Sequence, residues 1–407
     1  MEPKIRIEGK DNWKIKTLSD ISKKVVTKNT ALKYDVTLTN SAEFGIISQL
    51  DFFEHKISND KSISNYFVVE PDDFVYNPRV SVSAPVGPIN RNLLGFPGVM
   101  SPLYYVFKVH DVDKGFLDYF FHTRIWHKFM YDKGNCGARF DRLSISDSEF
   151  VKMPIYIPES KTEQGSVASF FRNFDNLICA IKNRISSLRQ MRVASLQAMF
   201  PQKGATKPQI RFKGFNKDWE MNTLDTYLIP SKAKNTDGKY SKEDVLSVSG
   251  EYGIVNQIAF QGRSFAGASV LNYGVVETKD IVYTKSPLKL NPYGIVKTNK
   301  GVPGIVSTLY AIYKCVEGVN PTFVQYYFEL DARLNDYLRP LVRKGAKNDM
   351  KVSSEGALIG NVVFPSYDEQ TQIADYFKTL DKKIQLEEQK LESLKRIKSA
   401  CLDKMFV

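Results

Sequence analysis

The sequence predicts an α+β protein made of two copies of one unit, each a mixed α/β globular domain followed by a long helix. The main observation is an internal repeat, because residues 95–104 return as residues 301–310, which is 206 positions later. The second observation is that each copy closes with a long stretch of helical apolar spacing. Solenoid units run to only about 20–50 residues, so a repeat of this length indicates a duplicated domain.

Other short segments repeat at nearly the same shift. Glu163-Gln164 returns as Glu369-Gln370, and the pair Met199-Phe200 returns as Met405-Phe406. The openings also correspond, although the first is one residue shorter between its glycine and its tryptophan: Gly9, Trp13 and Leu18 match Gly214, Trp219 and Leu224. We therefore predict a first globular domain at residues 1–160, a central helix at 161–205, a second globular domain at 206–365 and a C-terminal helix at 366–407.

The composition is that of an ordinary globular protein, with 43% hydrophobic and 25% charged residues. An apolar run of about 18 residues and a secretion leader are both missing from the sequence, so we expect a cytoplasmic protein without a membrane segment. The four cysteines are scattered and form no Cys-x-x-Cys pair. This pattern is typical of buried thiols in a reducing compartment, and we expect neither a metal site nor a cofactor.

The net charge of +12 is unevenly distributed along the chain. Residues 161–209 contain 8 basic and 2 acidic residues and residues 210–365 contain 20 and 15, whereas residues 1–160 contain 21 and 20. A general basic coat is therefore not expected. Local positive charge favours a protein that meets a polyanion on defined faces.

Two segments at matching positions contain no acidic residue, namely residues 74–110 and residues 281–316. Each is predicted to form a strand, a turn and a second strand. Basic and amide side chains can contact phosphates and base edges, so both segments are candidate DNA surfaces. Their candidate residues are Asn77, Arg79, Arg91, Asn92, Lys285, Lys297 and Lys300. The alternative is a core hairpin with few charges of either sign.

Two glycine-containing basic loops, at residues 133–139 and 344–348, follow predicted helices at residues 116–131 and 323–342. Glycine lets the backbone approach a phosphate closely, and neighbouring lysine and arginine supply charge. The candidate DNA-binding residues here are Lys133, Arg139, Arg142, Lys344, Lys347 and Asn348. A plain surface turn is the alternative for each loop.

The two helical stretches follow Pro158 and Pro365, which cannot continue a helix interior. About 35 residues at ~1.5 Å each give a rod of roughly 50 Å. Apolar residues at spacings of three and four form a seam close to a heptad, and Met191 and Ile397 are expected near its ends. The predicted spacer-helix core consists of Phe171, Ile178, Ile185, Leu188, Phe377, Ile384, Leu391 and Leu394.

We expect the two rods to pair with each other as an antiparallel coiled coil, which would relate the two copies by an approximate twofold axis. The central helix carries Arg184, Arg189 and Arg192, while the C-terminal helix carries Glu387 and Glu388. Complementary charges beside the seam set partner choice and direction in coiled coils. The alternative is two independent helices, each packed on its own domain.

The order of these features resembles the specificity subunit of a Type I restriction–modification enzyme, over the whole chain. The resemblance depends on the domain, long helix, domain, long helix order and on the helices ending in Met-Phe. Its specific residues are Pro158 with Glu163-Gln164, Pro365 with Glu369-Gln370, and Gly214, Trp219 and Leu224.

The resemblance implies a DNA sequence-recognition and assembly subunit without catalytic activity. Each globular domain would read one half of an asymmetric bipartite site from the major groove, and the helix pair would fix the distance between the halves. The implied partners are double-stranded DNA, two modification subunits and the restriction subunits. The modification subunits of such enzymes methylate adenine with S-adenosylmethionine, and the restriction subunits supply ATP-driven cleavage.

The residues themselves do not support an enzyme. Asn291-Pro292-Tyr293 lacks the second proline of an adenine methyltransferase motif, and a phosphate-binding Gly-x-x-x-x-Gly-Lys loop is absent from the sequence. Trp13 and Trp219 are interpreted as structural anchors rather than base-stacking residues. Two further functions stay open: a freestanding two-domain DNA-binding repressor, and a scaffold that binds only proteins.

Overall fold

The structure, a computed structural model, describes residues 13–52, 63–136, 141–288, 290–344 and 350–406. The chain forms two compact units. Unit 1 comprises Met1–Lys182 together with Gln389–Val407, and unit 2 comprises Asn183–Glu388. The boundary falls inside both long helices, so each unit contains a globular domain and a part of each helix.

Unit 1 combines short antiparallel sheets with helices. Its strands are β1 (Lys14–Thr17), β2 (Ser22–Lys24), β3 (Leu38–Ser41), β4 (Gly45–Ser48), β5 (Phe67–Val69), β6 (Phe74–Tyr76), β7 (Ile89–Arg91), β8 (Gly98–Met100), β9 (Tyr105–Val109), β10 (Asn135–Cys136), β11 (Leu143–Ser144) and β12 (Pro154–Ile157). Its helices are α1 (Leu18–Ile21), α2 (Gln49–Phe52), α3 (Lys114–Phe121), α4 (His127–Lys133), α5 (Asp147–Phe150) and the first part of the central helix α6 (Lys161–Ala198).

Unit 2 repeats this arrangement. Its strands are β13 (Glu220–Thr223), β14 (Leu228–Pro230), β15 (Leu246–Ser249), β16 (Gly253–Asn256), β17 (Gly274–Val276), β18 (Ile281–Thr284), β19 (Val296–Thr298), β20 (Gly304–Val306), β21 (Tyr310–Cys315), β22 (Arg343–Lys344), β23 (Met350–Lys351) and β24 (Asn361–Phe364). Its helices are α7 (Gln257–Gln261), α8 (Pro321–Tyr327), α9 (Asp331–Leu338) and the first part of the C-terminal helix α10 (Tyr367–Met405).

The sheet topologies of the two units correspond strand by strand. The four-stranded antiparallel sheet has the order β2-β9-β6-β7 in unit 1 and β14-β21-β18-β19 in unit 2. Two-stranded sheets also match, such as β1-β12 with β13-β24. The predicted fold class, a duplicated α+β unit with long helices, is confirmed.

The aromatic-rich segment after each sheet is two helices and not one, which corrects the predicted helices at 116–131 and 323–342. In unit 1 the Thr123 hydroxyl donates to the Phe120 carbonyl at 2.7 Å, and the Trp126 ring N–H donates to the Phe121 carbonyl at 3.1 Å. These bonds use carbonyls at the end of α3, so the chain turns there before α4.

The repeated Trp and Glu-Gln residues form a clasp at the start of the long helix in unit 1. Trp13 Nε1 donates to Glu163 Oε1 at 3.2 Å. Gln164 Oε1 accepts from the Asp113 backbone N–H at 2.7 Å, and its Nε2 donates to the Pro158 carbonyl at 2.8 Å. Glu163 and Gln164 are both buried, so these bonds satisfy groups that water cannot reach.

The same clasp holds unit 2. Trp219 Nε1 donates to Glu369 Oε1 at 3.3 Å, and Gln370 Oε1 accepts from the Asn320 backbone N–H at 3.0 Å. Arg211 adds a bidentate pair with Glu369, with donor–acceptor distances of 2.6 and 2.7 Å. The buried tryptophans are structural anchors, as predicted.

Each Met-Phe pair seals the aromatic core of one unit. In unit 1 the Phe406 ring centroid lies 5.2 Å from Phe116, 5.9 Å from Phe171 and 6.0 Å from Trp13. The corresponding ring in unit 2 is Phe200, and its neighbours are Phe323, Phe377 and Trp219. The end of one long helix therefore packs beside the start of the other within each unit.

The contacts within each unit establish that the two helices run antiparallel. In unit 1 Asp175 on α6 pairs with Lys398 on α10 at 2.5 Å. In unit 2 Arg184 pairs with Glu387 at 3.0 Å and Arg189 with Glu388 at 2.6 Å. The predicted antiparallel pairing and its complementary charges are confirmed, and the alternative of independent helices is excluded.

The seam between the helices is buried unevenly. Phe171, Ile185, Phe377 and Ile384 are buried, whereas Ile178, Leu188, Leu391 and Leu394 are half-buried. Met191 and Ile397, expected near the ends of the seam, are 45% and 49% exposed. Two successive spacings of three before each of these residues turn its side chain off the contact face.

Candidate nucleic-acid interface

The acid-free segments form the centres of the two four-stranded sheets. Strand β6 pairs with β9 in unit 1, and β18 pairs with β21 in unit 2. Phe74, Val75, Val106 and Phe107 are fully buried. The core-hairpin alternative therefore explains the strands, and most exposed residues of these segments lie in the connections between strands.

Two predicted base-reading amides are buried and bonded to backbone. Asn77 is 8% exposed and its Nδ2 donates to the Asn40 carbonyl at 2.8 Å. Asn92 is 1% exposed and its Nδ2 donates to the carbonyls of Glu70 and Phe96 at 3.1 and 3.2 Å. Both amides stabilise turns, so we remove them from the candidate DNA contacts.

Two predicted cationic contacts also point inward. The Arg91 side chain is 14% exposed and lies 3.8 Å from Asp72 and 3.9 Å from Asp118. Burial raises the pKa of the Asp118 carboxyl. Lys297 is buried and pairs with Glu329 at 3.0 Å. Because these charges are already paired inside the protein, they are poor candidates for phosphate binding.

The remaining candidates of unit 1 collect at one edge. The backbones of Arg79 and Arg142 pair in an antiparallel bridge, which places the two exposed arginines side by side. Lys133, also exposed, ends α4 immediately before the β10–β11 hairpin. Arg139 lies outside the described residues. Arg79 and Arg142 are 63 residues apart in the sequence, yet together they form one basic edge.

The candidates of unit 2 are more dispersed. Lys285 is half-buried in the connection after β18, and the Lys300 amine lies 5.2 Å from the Tyr326 ring centroid. Lys344 lies in β22, the first strand of the β22–β23 hairpin, and its side chain is outside the described part. Lys347 and Asn348 fall outside the described residues as well.

A tyrosine, an aspartate and a cation connect the globular domain of unit 1 to both long helices. Tyr119 on α3 donates its hydroxyl proton to Asp175 Oδ2 on α6 at 2.7 Å. Lys398 on α10 donates to Asp175 Oδ1 at 2.5 Å, and its Nζ lies 5.3 Å from the Tyr119 ring centroid. Burial and the bond to Asp175 raise the pKa of Tyr119, so its hydroxyl stays a donor.

Unit 2 contains the same three-residue contact with the helices exchanged. Tyr326 on α8 donates to Asp381 Oδ2 at 2.7 Å, and here the aspartate belongs to α10. Arg192 on α6 donates to Asp381 Oδ1 at 2.6 Å and to Glu329 at 3.2 Å. In each unit the globular domain is therefore joined to both long helices by equivalent polar contacts.

A pair of hairpins that the sequence analysis missed also repeats. The β3–β4 hairpin pairs Ser41 with Gly45, and the β15–β16 hairpin pairs Ser249 with Gly253. The glycines have φ of +69° and +74°, a conformation that glycine adopts without strain. Residues 38–50 and 246–258 share Leu, Ser, Glu, Gly, Ile and Gln at a shift of 208, whereas the other repeated segments align at shifts of 205 to 207.

The described residues bear on the expectations for metal sites, membrane segments and thiols. Among them, no cluster of three or more His, Cys, Asp or Glu side chains could hold a metal ion. No helix in the described part is long and apolar enough to cross a membrane. Burial raises the pKa of the Cys315 thiol to about 12, whereas Cys179 is exposed, contrary to the expectation of buried thiols.

Comparisons of sequence identify no relative, since no protein-family model and no curated protein matches the chain. Solved structures do match over the whole length. The Type I restriction–modification system S subunit from M. genitalium aligns with a TM-score of 0.56 at 14% identity, covering 100% of this chain and 99% of that one.

A second structure, which describes complex assembly and conformational transition of the type I R-M system, aligns with a TM-score of 0.53 at 13% identity and covers 98% of both chains. At these identities the likeness establishes a shared fold. The resemblance found in the sequence is thus confirmed at the level of the fold, over the complete arrangement of two domains and two long helices.

Proposed function

We propose that this chain is the DNA sequence-recognition and assembly subunit of a Type I restriction–modification complex. Each globular domain reads one half of an asymmetric bipartite DNA site, and the helix pair sets the spacing between the halves. The observation that carries the proposal is the duplicated domain fixed to an antiparallel helix pair, in a fold shared with an S subunit along its full length.

The proposed partners are double-stranded DNA, two modification subunits that dock on the helix pair, and restriction subunits. The chain itself is noncatalytic, needs no cofactor and works in the cytoplasm. Its net charge of +12 supports DNA binding, since basic side chains neutralise phosphates and release counterions. The near-neutral sequence of residues 1–160 supports a role that depends on partner subunits.

The proposed interface differs between the units. In unit 1 it is the basic edge formed by Arg79, Lys133 and Arg142, and Arg139 is included from its place in the sequence between Lys133 and Arg142. In unit 2 it is the β22–β23 hairpin with Lys344, Lys347 and Asn348, together with Lys285 and Lys300. Because the two sets differ in their residue types and sequence positions, the two half-sites are expected to differ in sequence.

The test is a selection from randomised duplex DNA, using the full chain in complex with the proposed modification subunits. The expected result is two conserved half-sites separated by a constant number of unspecified base pairs. An enriched library without any bipartite motif would overturn the proposal and favour a protein scaffold. Size-exclusion chromatography with those subunits separates the proposal from a freestanding repressor, which would elute alone.

A further inference from the structure

Both units present an aromatic side chain and a glutamate at the tip of a hairpin. Phe44 is 59% exposed and Tyr252 is 61% exposed, and the exposed Glu43 and Glu251 precede them. An exposed ring forgoes the burial that stabilises most aromatic side chains. The central parts of the two globular domains differ in sequence, yet both hairpins have a glutamate followed by an aromatic residue at the tip. This correspondence indicates that the two tips have the same role.

The tips are held in one conformation. Ser41 Oγ accepts from the Glu43 and Phe44 backbone N–H groups, both at 3.2 Å. Ser249 Oγ accepts from the corresponding two N–H groups of unit 2 at 3.3 and 3.2 Å. A three-residue loop closed by glycine in the left-handed region is a common rigid hairpin connection. These bonds hold the backbone at the residues that carry the exposed aromatic side chains.

A buried amide network anchors the hairpin of unit 1 to the central sheet. Asn40, which is 2% exposed, donates to the Val75 carbonyl at 2.7 Å. Asn77 donates to the Asn40 carbonyl at 2.8 Å, and Asn90 donates to Asn40 Oδ1 at 2.6 Å. Asn77, which the sequence analysis named as a candidate base reader, therefore supports the hairpin behind its tip.

The tip of unit 2 lies beside further exposed rings. The Tyr252 ring centroid is 5.5 Å from that of Phe260, which is 45% exposed. In the segment that follows α7, the Arg263 guanidinium lies 4.6 Å from the ring centroid of Phe265. Aromatic rings next to a cation combine a surface for bases with a charge for phosphates.

We propose that Glu43 with Phe44, and Glu251 with Tyr252, are specificity-determining residues that contact base edges in the major groove of their half-sites. This deepens the proposed function and rests on it. The groove admits a two-stranded ribbon, where an aromatic ring can contact a thymine methyl group and a carboxylate can accept from the cytosine amino group. A carboxylate facing phosphates would be repelled, so its place at a DNA-facing tip fits a base amino group.

The experiment repeats the DNA selection with the complete complex carrying Glu43→Gln, Glu251→Gln, Phe44→Ala or Tyr252→Ala. Each glutamine variant is expected to change the preferred base at one position of one half-site, from cytosine towards adenine, because glutamine reads adenine. Each alanine variant is expected to weaken binding to the wild-type site roughly tenfold, a typical loss for one base contact. Variants of one unit serve as controls for the other, since the other half-site should stay unchanged.

The outcomes separate this proposal from the function it rests on. A wild-type complex that selects no bipartite motif overturns the proposed function. A wild-type complex that selects one, with all four variants keeping its base preferences and affinity, overturns the role of the tips alone. If an alanine variant fails to fold, the glutamine variants decide, because they keep the size of the side chain.

Discussion

Replacement of Phe406 by alanine tests whether the end of α10 completes the core of unit 1. The Phe406 side chain is 3% exposed, and its ring contacts those of Trp13, Phe116 and Phe171. Truncation of a buried phenylalanine removes its burial and leaves a cavity, at a cost of about 3–5 kcal/mol. For a unit of about 200 residues, where 1 kcal/mol shifts the Tm by about 2–4 °C, the midpoint of unit 1 should fall by roughly 10 °C.

Hydrogen exchange monitored by mass spectrometry assigns the loss to a unit. The expected result is faster exchange in α3 and in β1, with unit 2 unchanged. Ile397→Ala is the matched control, because it lies on the same helix and is 49% exposed, so it should cost less than about 1 kcal/mol. Phe200→Ala should produce the mirror result in unit 2. Equal effects of Phe406→Ala and Ile397→Ala would refute the reasoning.

Three further predictions concern charged residues. Arg211→Ala should destabilise unit 2 by about 3 kcal/mol in urea titrations, because it leaves the buried Glu369 carboxylate without its bidentate partner; an unchanged midpoint would contradict this. Burial raises the pKa of Asp73 to about 6. The protonated carboxyl is therefore favoured in the folded state, and the stability that it contributes is lost as the pH rises through that value. Asp73→Asn should make the stability of unit 1 less dependent on pH between about pH 4 and 7, and a profile identical to wild type would argue against this. Replacing Lys344 and Lys347 by alanine should weaken DNA binding and reduce its salt dependence by about one phosphate contact per lysine, whereas an unchanged salt slope would remove this hairpin from the interface.

The duplicated fold could be predicted from the sequence because the repeated residues contact one another within each unit. The tryptophan, the Glu-Gln pair and the Met-Phe pair recur together since each unit needs all of them for one clasp and one aromatic core. Helix direction followed from simple charge complementarity along the seam. The sequence alone reveals these features, because the same residue types recur in both copies and the charges of the two helices are opposite in sign.

The site residues were less predictable because their roles depend on tertiary partners. Arg91 and Lys297 look like phosphate contacts in the sequence, but the acids that pair with them are distant along the chain. Asn92 looks like a base reader until its two carbonyl partners are located. The hairpins at Ser41 and Ser249 were not predicted because they correspond at a shift of 208, whereas the repeated segments that predicted the fold correspond at shifts of 205 to 207.

The division of the chain has a consequence for its synthesis. Unit 2 is one continuous segment, whereas unit 1 needs Phe406, which leaves the ribosome after every residue of unit 2. Phe406 follows Lys182, the last residue of the first segment of unit 1, by 224 residues. At about 5–20 residues per second, this residue is synthesised on the order of 10 to 45 seconds later. The core of the domain that is translated first is therefore completed last. We expect chaperones to bind the aromatic rings that Phe406 later contacts, because these rings are uncovered during that interval.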